Sequence, residues 1–210
     1  MTEITAAAHS TLPLLPLERV LFPGKQLVLR VTDASGRHYR ELVRECGRRG
    51  TGIGICLMLP AADTTRPAAP AAFGTEAKIE DFRLEHGALD LHVRGARRFR
   101  VLHTRVRDNG LLLGEVEFKP EPAPRPLPPQ YAVLSDLLRV MANLKDHPIS
   151  ELVDASQRDW EDAHWVSWRF CNTVPLAEVQ RQGLLEEDDV EVRLQRLLER
   201  VDDIAQGDWP

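Results

Sequence analysis

The chain has 210 residues, 43% hydrophobic and 28% charged, which is the composition of a globular protein with room for one large domain or two small ones. Its formal net charge of −5 argues against nucleic-acid binding by the protein as a whole, while leaving room for a local basic patch. No apolar run approaches the ~20 residues of a membrane span, MTEITAAAHS lacks the regions of a secretory leader, and three scattered cysteines suit reduced thiols in a cytoplasm.

Residues 11–31, TLPLLPLERVLFPGKQLVLRV, read as two strands and a turn. Proline has no N–H for a ladder and sits at edges, bends or strand starts. Pro13 and Pro16 therefore place Leu12–Leu17 at a sheet edge. Pro23-Gly24 marks the turn. Beyond it Leu27, Leu29 and Val31 alternate with Gln26, Val28 and Arg30, the period of a strand with unequal faces. In SGRHYRELVRECGRRG (35–50), Tyr39, Leu42, Val43 and Cys46 share one helical face, and Gly47 and Gly50 are placed to end the helix. TGIGICLML (51–59) is a short apolar run, and AADTTRPAAPAAF (61–73) reads as a surface loop. Two hairpins follow. Residues 74–87 and 88–95 turn around His86-Gly87, and 97–110 and 111–119 turn at Asp108-Asn109-Gly110. Asn-Gly between alternating segments is the strongest short-range hairpin cue.

KPEPAPRPLPPQ (119–130) reads as an extended, stiff linker. After it the period becomes helical. Leu134, Leu137, Leu138, Met141 and Leu144 form one stripe. Ala163, Val166, Phe170 and Val174 form a second, and Val190, Leu194, Leu197, Leu198, Val201 and Ile204 a third. Asp188 and Glu191 are spaced as a capping box, and an acidic start with later Arg193, Arg196 and Arg200 suits the helix macrodipole. The expected organisation is a strand-rich part (1–120), a linker (121–130) and a helical part (131–210).

Catalytic motifs are mostly missing. There is no phosphate-binding loop, no H-E-x-x-H and no G-x-S-x-G. His92 and His103 read as residues of different strands, where a solvated or hydrogen-bonded pair is favoured over a metal site. Cys46 and Cys171 lie on apolar helical faces, the setting of buried inert thiols. No enzyme, cofactor or metal is expected. Two features point to binding. HVRGARRFRVLHTRVR (92–107) carries six arginines, Arg94 to Arg107, and alternation puts Arg98 and Arg100 opposite Phe99 and Val101. Such a surface could engage RNA or an acidic protein. A solvated face balanced by Glu80, Asp81, Glu115 and Glu117 is the favoured reading. In RDWEDAHWVSWRFCN (158–172), ~100° per residue turns Trp165 and Trp168 behind the apolar stripe, with Trp160 near its edge. These rings need a second partner, either the strand-rich part or an apolar peptide segment.

Four segments in order resemble the N-terminal domain of Lon proteases, the LON substrate-binding domain. They are LPLLPLERVLFPG (12–24), HYRELVRECGRRGTGIGICLML (38–59), GTEAKIEDFRLEHGALDLHVRGARRFRV (74–101) and LLEEDDVEVRLQRLLERV (184–201). The resemblance implies an α+β fold, with a six-stranded PUA-like β pseudo-barrel and one helix followed by a C-terminal helical bundle. It implies recognition of unfolded or tagged protein segments and, in the full protease, help in assembling the hexamer. The protease's ATPase and peptidase activities are not expected, because this chain shows neither a phosphate-binding loop nor a recognisable Ser–Lys dyad. The expected function is non-enzymatic binding of polypeptide segments or a protein partner, in a bacterial-type cytoplasm and without membrane contact. The expected site is an apolar groove near the junction of the two halves, with Phe22, Trp165 and Trp168 as contacts. A sheet edge would add main-chain hydrogen bonds there. RNA binding through Arg98 and Arg100 is the alternative, with nucleic acid disfavoured and oligomeric state left open.

Overall fold

A computed structural model describes residues 9–31, 33–60, 69–85, 88–144, 152 and 155–206. The chain divides into two units, Met1–Glu121 and Pro122–Pro210. The fold is mixed α+β, with one six-stranded sheet and several helices among the described residues.

In the first unit, β1 (His9–Leu17) is an inner strand, contrary to the edge position its prolines suggest. Residues His9 to Pro13 run antiparallel to β6 (Leu112–Phe118), and Leu14 to Leu17 run parallel to β3 (Ile53–Leu59). Each half of β1 thus has its ladder on one side, and Pro13 and Pro16 occupy locally edge-like positions inside a central strand. The unbroken apolar run of β1 follows from burial on both faces. Leu12 and Leu14 pack with Cys56, Phe99, Val116 and Phe118. Leu15 packs with Leu21, Leu42, Ile53, Leu91 and Leu113.

The turn after β1 forms as its residues dictate. Lys25 N–H donates to Phe22 O at 3.2 Å, Pro23 holds the first corner, and Gly24 takes the second at φ 75°. A positive φ there is the signature of a type II turn. β2 (Gln26–Val31) follows, then α1 (Asp33–Arg49), which runs through Gly47 and ends before Gly50. Leu42 and Cys46 of α1 enter the core as the periodicity predicts, whereas the Tyr39 side chain lies outside the described residues.

Two readings of the strand region are corrected. Residues 61–68 of the expected loop lie outside the described residues, but Ala69 to Phe73 belong to β4 (Ala69–Glu85), with Ala69 and Pro70 paired to Leu59 and Met58. β5 (Ala88–Val106) is one strand instead of two. It pairs with β4 through residues 88–100, with β2 through 89–94 and with β6 through 99–106. His92 and His103 therefore sit on the same strand and do not face each other across a ladder. The His86-Gly87 turn lies outside the described residues, while the Asn109-Gly110 turn closes with Gly110 N–H to Arg107 O at 2.8 Å. The sheet order is β2-β5-β4-β3-β1-β6, and the added β5–β6 pairing brings the last strand back against β5.

The second unit begins with the proline-rich stretch, whose later part is strapped down. Arg125 N–H donates to Asp162 Oδ2 at 2.9 Å, Ala163 N–H to Arg125 O at 2.8 Å, and Leu127 N–H to Glu161 O at 2.7 Å. Then come α2 (Ala132–Ala142), α3 (Gln157–Trp160), α4 (Ala163–Cys171), α5 (Glu178–Glu186) and α6 (Val190–Gln206). The Ala163, Val166, Phe170 and Val174 stripe is wholly buried. The other stripes fray, since Leu144 and Ile204 are exposed at the ends of α2 and α6. α6 is capped one residue later than expected, with Asp189 Oδ1 accepting from Glu191 N–H at 2.8 Å. Arg193 is not a surface cation on this helix, because it is fully buried.

Candidate functional site

The first unit offers an open strand. Among the described strands β2 has one neighbour, β5, in the register Gln26↔Arg94 to Val31↔Leu89. Gly95 N–H donates to Lys25 O at 2.9 Å, which fixes the phase of this ladder. By antiparallel alternation the N–H and C=O of Val28 then point away from β5. Its side chain is 51% exposed, beside a cavity of about 250 Å³ lined by Gln26, Val28, Glu80, Asp81 and His92. Phe82 on β4 is 67% exposed, but it is in register with Leu91 and through it with Leu29, on the sheet face opposite the Val28, His92 and Asp81 row. Arg30 grips Asp90 across the β2–β5 ladder through Nε to Oδ1 at 2.9 Å and Nη2 to Oδ2 at 2.8 Å. That fork holds the Asp90 carboxyl below its ordinary range, so it stays ionised at neutral pH. A one-sided strand with an exposed apolar side chain at its open edge is suited to accepting an extended segment.

Sequence reasoning overlooked Val28 and Phe82. The signal for Val28 was present, since it is the apolar residue between Gln26 and Arg30 on the polar face of β2. Nothing in the alternation of EDFRLE distinguishes Phe82 from a core residue.

The aromatic candidates are placed differently. Phe22 is fully buried in the first unit, and Trp168 is 9% exposed in the second. Trp168 has a neighbour within its own unit. The Arg193 guanidinium sits 3.6 Å from the centre of its ring and donates to Ser167 Oγ at 3.0 Å and Glu187 O at 2.8 Å. Trp165 is half-buried, edge-on to Trp160 with centroids 5.0 Å apart, and the Arg169 guanidinium lies 5.4 Å from its ring. Helical angles alone do not reveal these neighbours, because Trp160 belongs to a separate helix and the cation over Trp168 comes from α6.

Three of the six arginines between 92 and 107 are held by carboxylates. Arg94 Nε donates to Glu80 Oε1 at 2.5 Å, Arg97 donates to Glu76 Oε2 at 3.0 Å through Nη2 and stacks on Phe118, and Arg107 forks onto Glu45. Arg100 is exposed and in register with Glu117, and Arg98 is half-buried in register with Thr75. Of the carboxylates that hold arginines, only Glu80 was among the acidic neighbours expected from the sequence, and Glu76 and Glu45 come from β4 and α1.

The three thiols, Cys46, Cys56 and Cys171, are free and buried. Burial pushes each up to about 12, where almost no thiolate forms at neutral pH. A thiol reagent at mildly alkaline pH is expected to label none of them in the folded chain and all three in denaturant, as read by mass spectrometry. Among the described residues no group of three His, Cys, Asp or Glu is arranged to hold a metal, and no helix is long and apolar enough to cross a membrane.

Comparison with known proteins agrees with this architecture. Residues 11–203 match the family described as the ATP-dependent protease La (LON) substrate-binding domain. The solved structure of a Lon N-terminal domain protein from Xanthomonas campestris is 41% identical, with 90% of this chain and 98% of that chain covered and a TM-score of 0.73. The N-terminal domain of a Mycobacterium avium complex Lon protease has the same fold at 22% identity and a TM-score of 0.65, covering 92% of this chain and 99% of that one. No match is found among curated proteins. With a family match over nearly the whole length and a solved relative at this identity, the chain belongs to the LON substrate-binding domain family.

Proposed function

We propose that this protein binds extended polypeptide segments without catalysis, using the open edge of β2 for main-chain pairing and the exposed Val28 for apolar contact. The observation that carries the reading is the one-sided β2 ladder beside the cavity lined by Val28, Asp81 and His92. Strand addition gives affinity through backbone groups that every polypeptide has, while alternate side chains meet pockets. That combination suits a receptor of varied unfolded segments. Membership of a substrate-binding family supports it. The inert thiols support a non-catalytic role. The closing strand order supports reading the first unit as a PUA-like pseudo-barrel, and the buried stripes support reading the second as a helical bundle. Free cysteines support a reducing cytoplasm.

Among the earlier contact candidates, Trp165 keeps a place as an apolar contact of the second unit. Phe22 and Trp168, being buried, act by shaping their surroundings. RNA binding through Arg98 and Arg100 is the weaker reading, since Arg94, Arg97 and Arg107 are held by carboxylates.

The test is binding of a fluorescently labelled, chemically unfolded protein by the full chain. Val28→Lys blunts the edge with a charge, and Phe82→Ser, on the opposite sheet face, is the control. Val28→Lys is expected to weaken binding about tenfold without changing the melting temperature, and Phe82→Ser to bind as wild type. Wild-type affinity in folded Val28→Lys overturns the reading of β2 as the contact strand.

A further inference from the structure

One basic cluster remains outside the proposed peptide edge. α1 carries five arginines, at positions 37, 40, 44, 48 and 49, against Asp33, Glu41 and Glu45, inside a protein of net charge −5. Arg40, Arg44 and Arg48 are spaced four apart and share one helix face. Glu41 engages Arg44 at 2.7 Å. At the C-terminal end of the helix a single carboxylate, Glu45, takes three guanidiniums. Arg49 Nε donates to its Oε1 at 2.6 Å, Arg107 donates to both oxygens at 3.1 Å, and Arg48 Nη2 donates to Oε2.

Three guanidiniums against one carboxylate leave two positive charges. Glu45 is 2% exposed, so it closes the inner side of the cluster, while Arg48 is 65% exposed and Arg49 and Arg107 are about a third exposed. Each guanidinium has several N–H donors in a planar fork. Arg48 and Arg49 each spend one on Glu45, and Arg107 spends two. Their other donors meet no protein acceptor among the described residues. The forks are also preorganised, because a buried carboxylate between a helix end and a strand end fixes them.

We infer that the Arg48, Arg49 and Arg107 cluster is an anion site that takes a phosphate group. A dianion neutralises the surplus of two charges, whereas a carboxylate would leave one unmatched. Three phosphate oxygens also accept from three forks at once, which the two oxygens of a carboxylate do less completely. The phosphate is either free, as in inorganic or condensed phosphate, or borne on a ligand as a monoester. The site is separate from the β2 edge, and its test does not depend on polypeptide binding.

The experiment is a titration of the full chain with inorganic phosphate, pyrophosphate and O-phosphoserine, each followed through the arginine Nε–H signals in proton–nitrogen NMR. The signals of Arg48, Arg49 and Arg107 are expected to move together and saturate below about 10 mM. Affinity is expected to fall as salt rises. Arg48→Gln, at an exposed position, is expected to keep the fold and to weaken pyrophosphate about tenfold, while Arg100→Gln leaves it unchanged. Equal affinity for phosphate and O-phosphoserine assigns recognition to the phosphate group itself, and tighter O-phosphoserine binding assigns it to a phosphorylated ligand. No movement of these signals, unchanged affinity in Arg48→Gln, or binding that follows Arg100 overturns the inference.

Discussion

Gly74→Ala and Gly95→Ala are each expected to unfold the strand-rich unit. A methyl group on Gly74 would lie 2.4 Å from Ile55 O, 2.7 Å from Phe99 Cζ and 2.8 Å from Cys56 Sγ. On Gly95 it would lie 2.3 Å from Phe22 O and 3.3 Å from Leu21 Cγ. These are distances inside van der Waals contact, and two of the neighbours are backbone carbonyls that cannot rotate aside. The close-packed interior has no slack to absorb such an overlap. Strands β3 and β4 would have to part at Gly74, whose ladder partner is Cys56. At Gly95 the Phe22–Lys25 turn would be pushed off, because Gly24 N–H donates to Gly95 O at 2.7 Å and Gly95 N–H donates back to Lys25 O. A loss beyond about 4 kcal/mol, enough to unfold many domains outright, is the expected scale. Chemical denaturation of purified variants measures it, or insolubility on expression where the loss is complete. Gly183→Ala in α5 is the control. Its added methyl meets nothing within 4 Å, so the variant is expected to match or slightly exceed wild-type stability.

Gly74 and Gly95 stand in the GTEAKIEDFRLEHGALDLHVRGARRFRV segment that carries the family resemblance, and the structure gives that motif a physical reason. The motif marks places where backbone passes backbone. Alternation and the Asn109-Gly110 turn made the sheet legible, and the 3.6-residue period made α1, α2, α4 and α6 legible. The rest depended on contacts remote in sequence. The prolines of β1 were read by a local rule that holds locally, since each half of the strand is paired on one side. The strand order, which makes β1 central, is set by partners about forty and a hundred residues away. Gly95 looked like a break in β5 because glycine weakens strands, whereas its missing side chain is what lets the turn at Pro23-Gly24 dock. α3 spans only four residues, and α5 buries Gln182, Leu184 and Leu185, a polar residue and an adjacent apolar pair that form no stripe at helical spacing.

The candidate site was legible in kind but not in residues. Val28 could be picked out as an apolar residue on a polar face. Trp168 could not be recognised as covered, because its cover is a buried arginine on α6, a residue type that composition assigns to the surface.

Glu45→Gln is expected to lower stability by about 1–3 kcal/mol, the scale of hydrogen bonds to a charged group, because the guanidiniums left behind are about a third or more exposed. The substitution preserves size and removes the one carboxylate that three guanidiniums share. Its physical consequence is also visible in the acid limb of stability. The hydrogen bond from Arg49, aided by the charges of Arg107 and Arg48, outweighs burial and holds the Glu45 carboxyl below its ordinary value of 4.5. A carboxyl whose folded value is depressed stabilises the fold fully above its unfolded value, and that contribution fades as pH falls through the lower folded value. Denaturation midpoints of the wild type should therefore decline from about pH 4.5 downward, and the Glu45→Gln profile should be flatter over that range. The double variant Glu45→Gln/Arg107→Gln should recover part of the loss, since it removes one of the cations left facing its neighbours. A Glu45→Gln protein as stable as wild type, with the same acid limb, would mean that the carboxylate is not what holds Arg48, Arg49 and Arg107 together. With the carboxylate gone, phosphate would be the remaining anion for the cluster, so it should raise the melting temperature of Glu45→Gln more than that of the wild type.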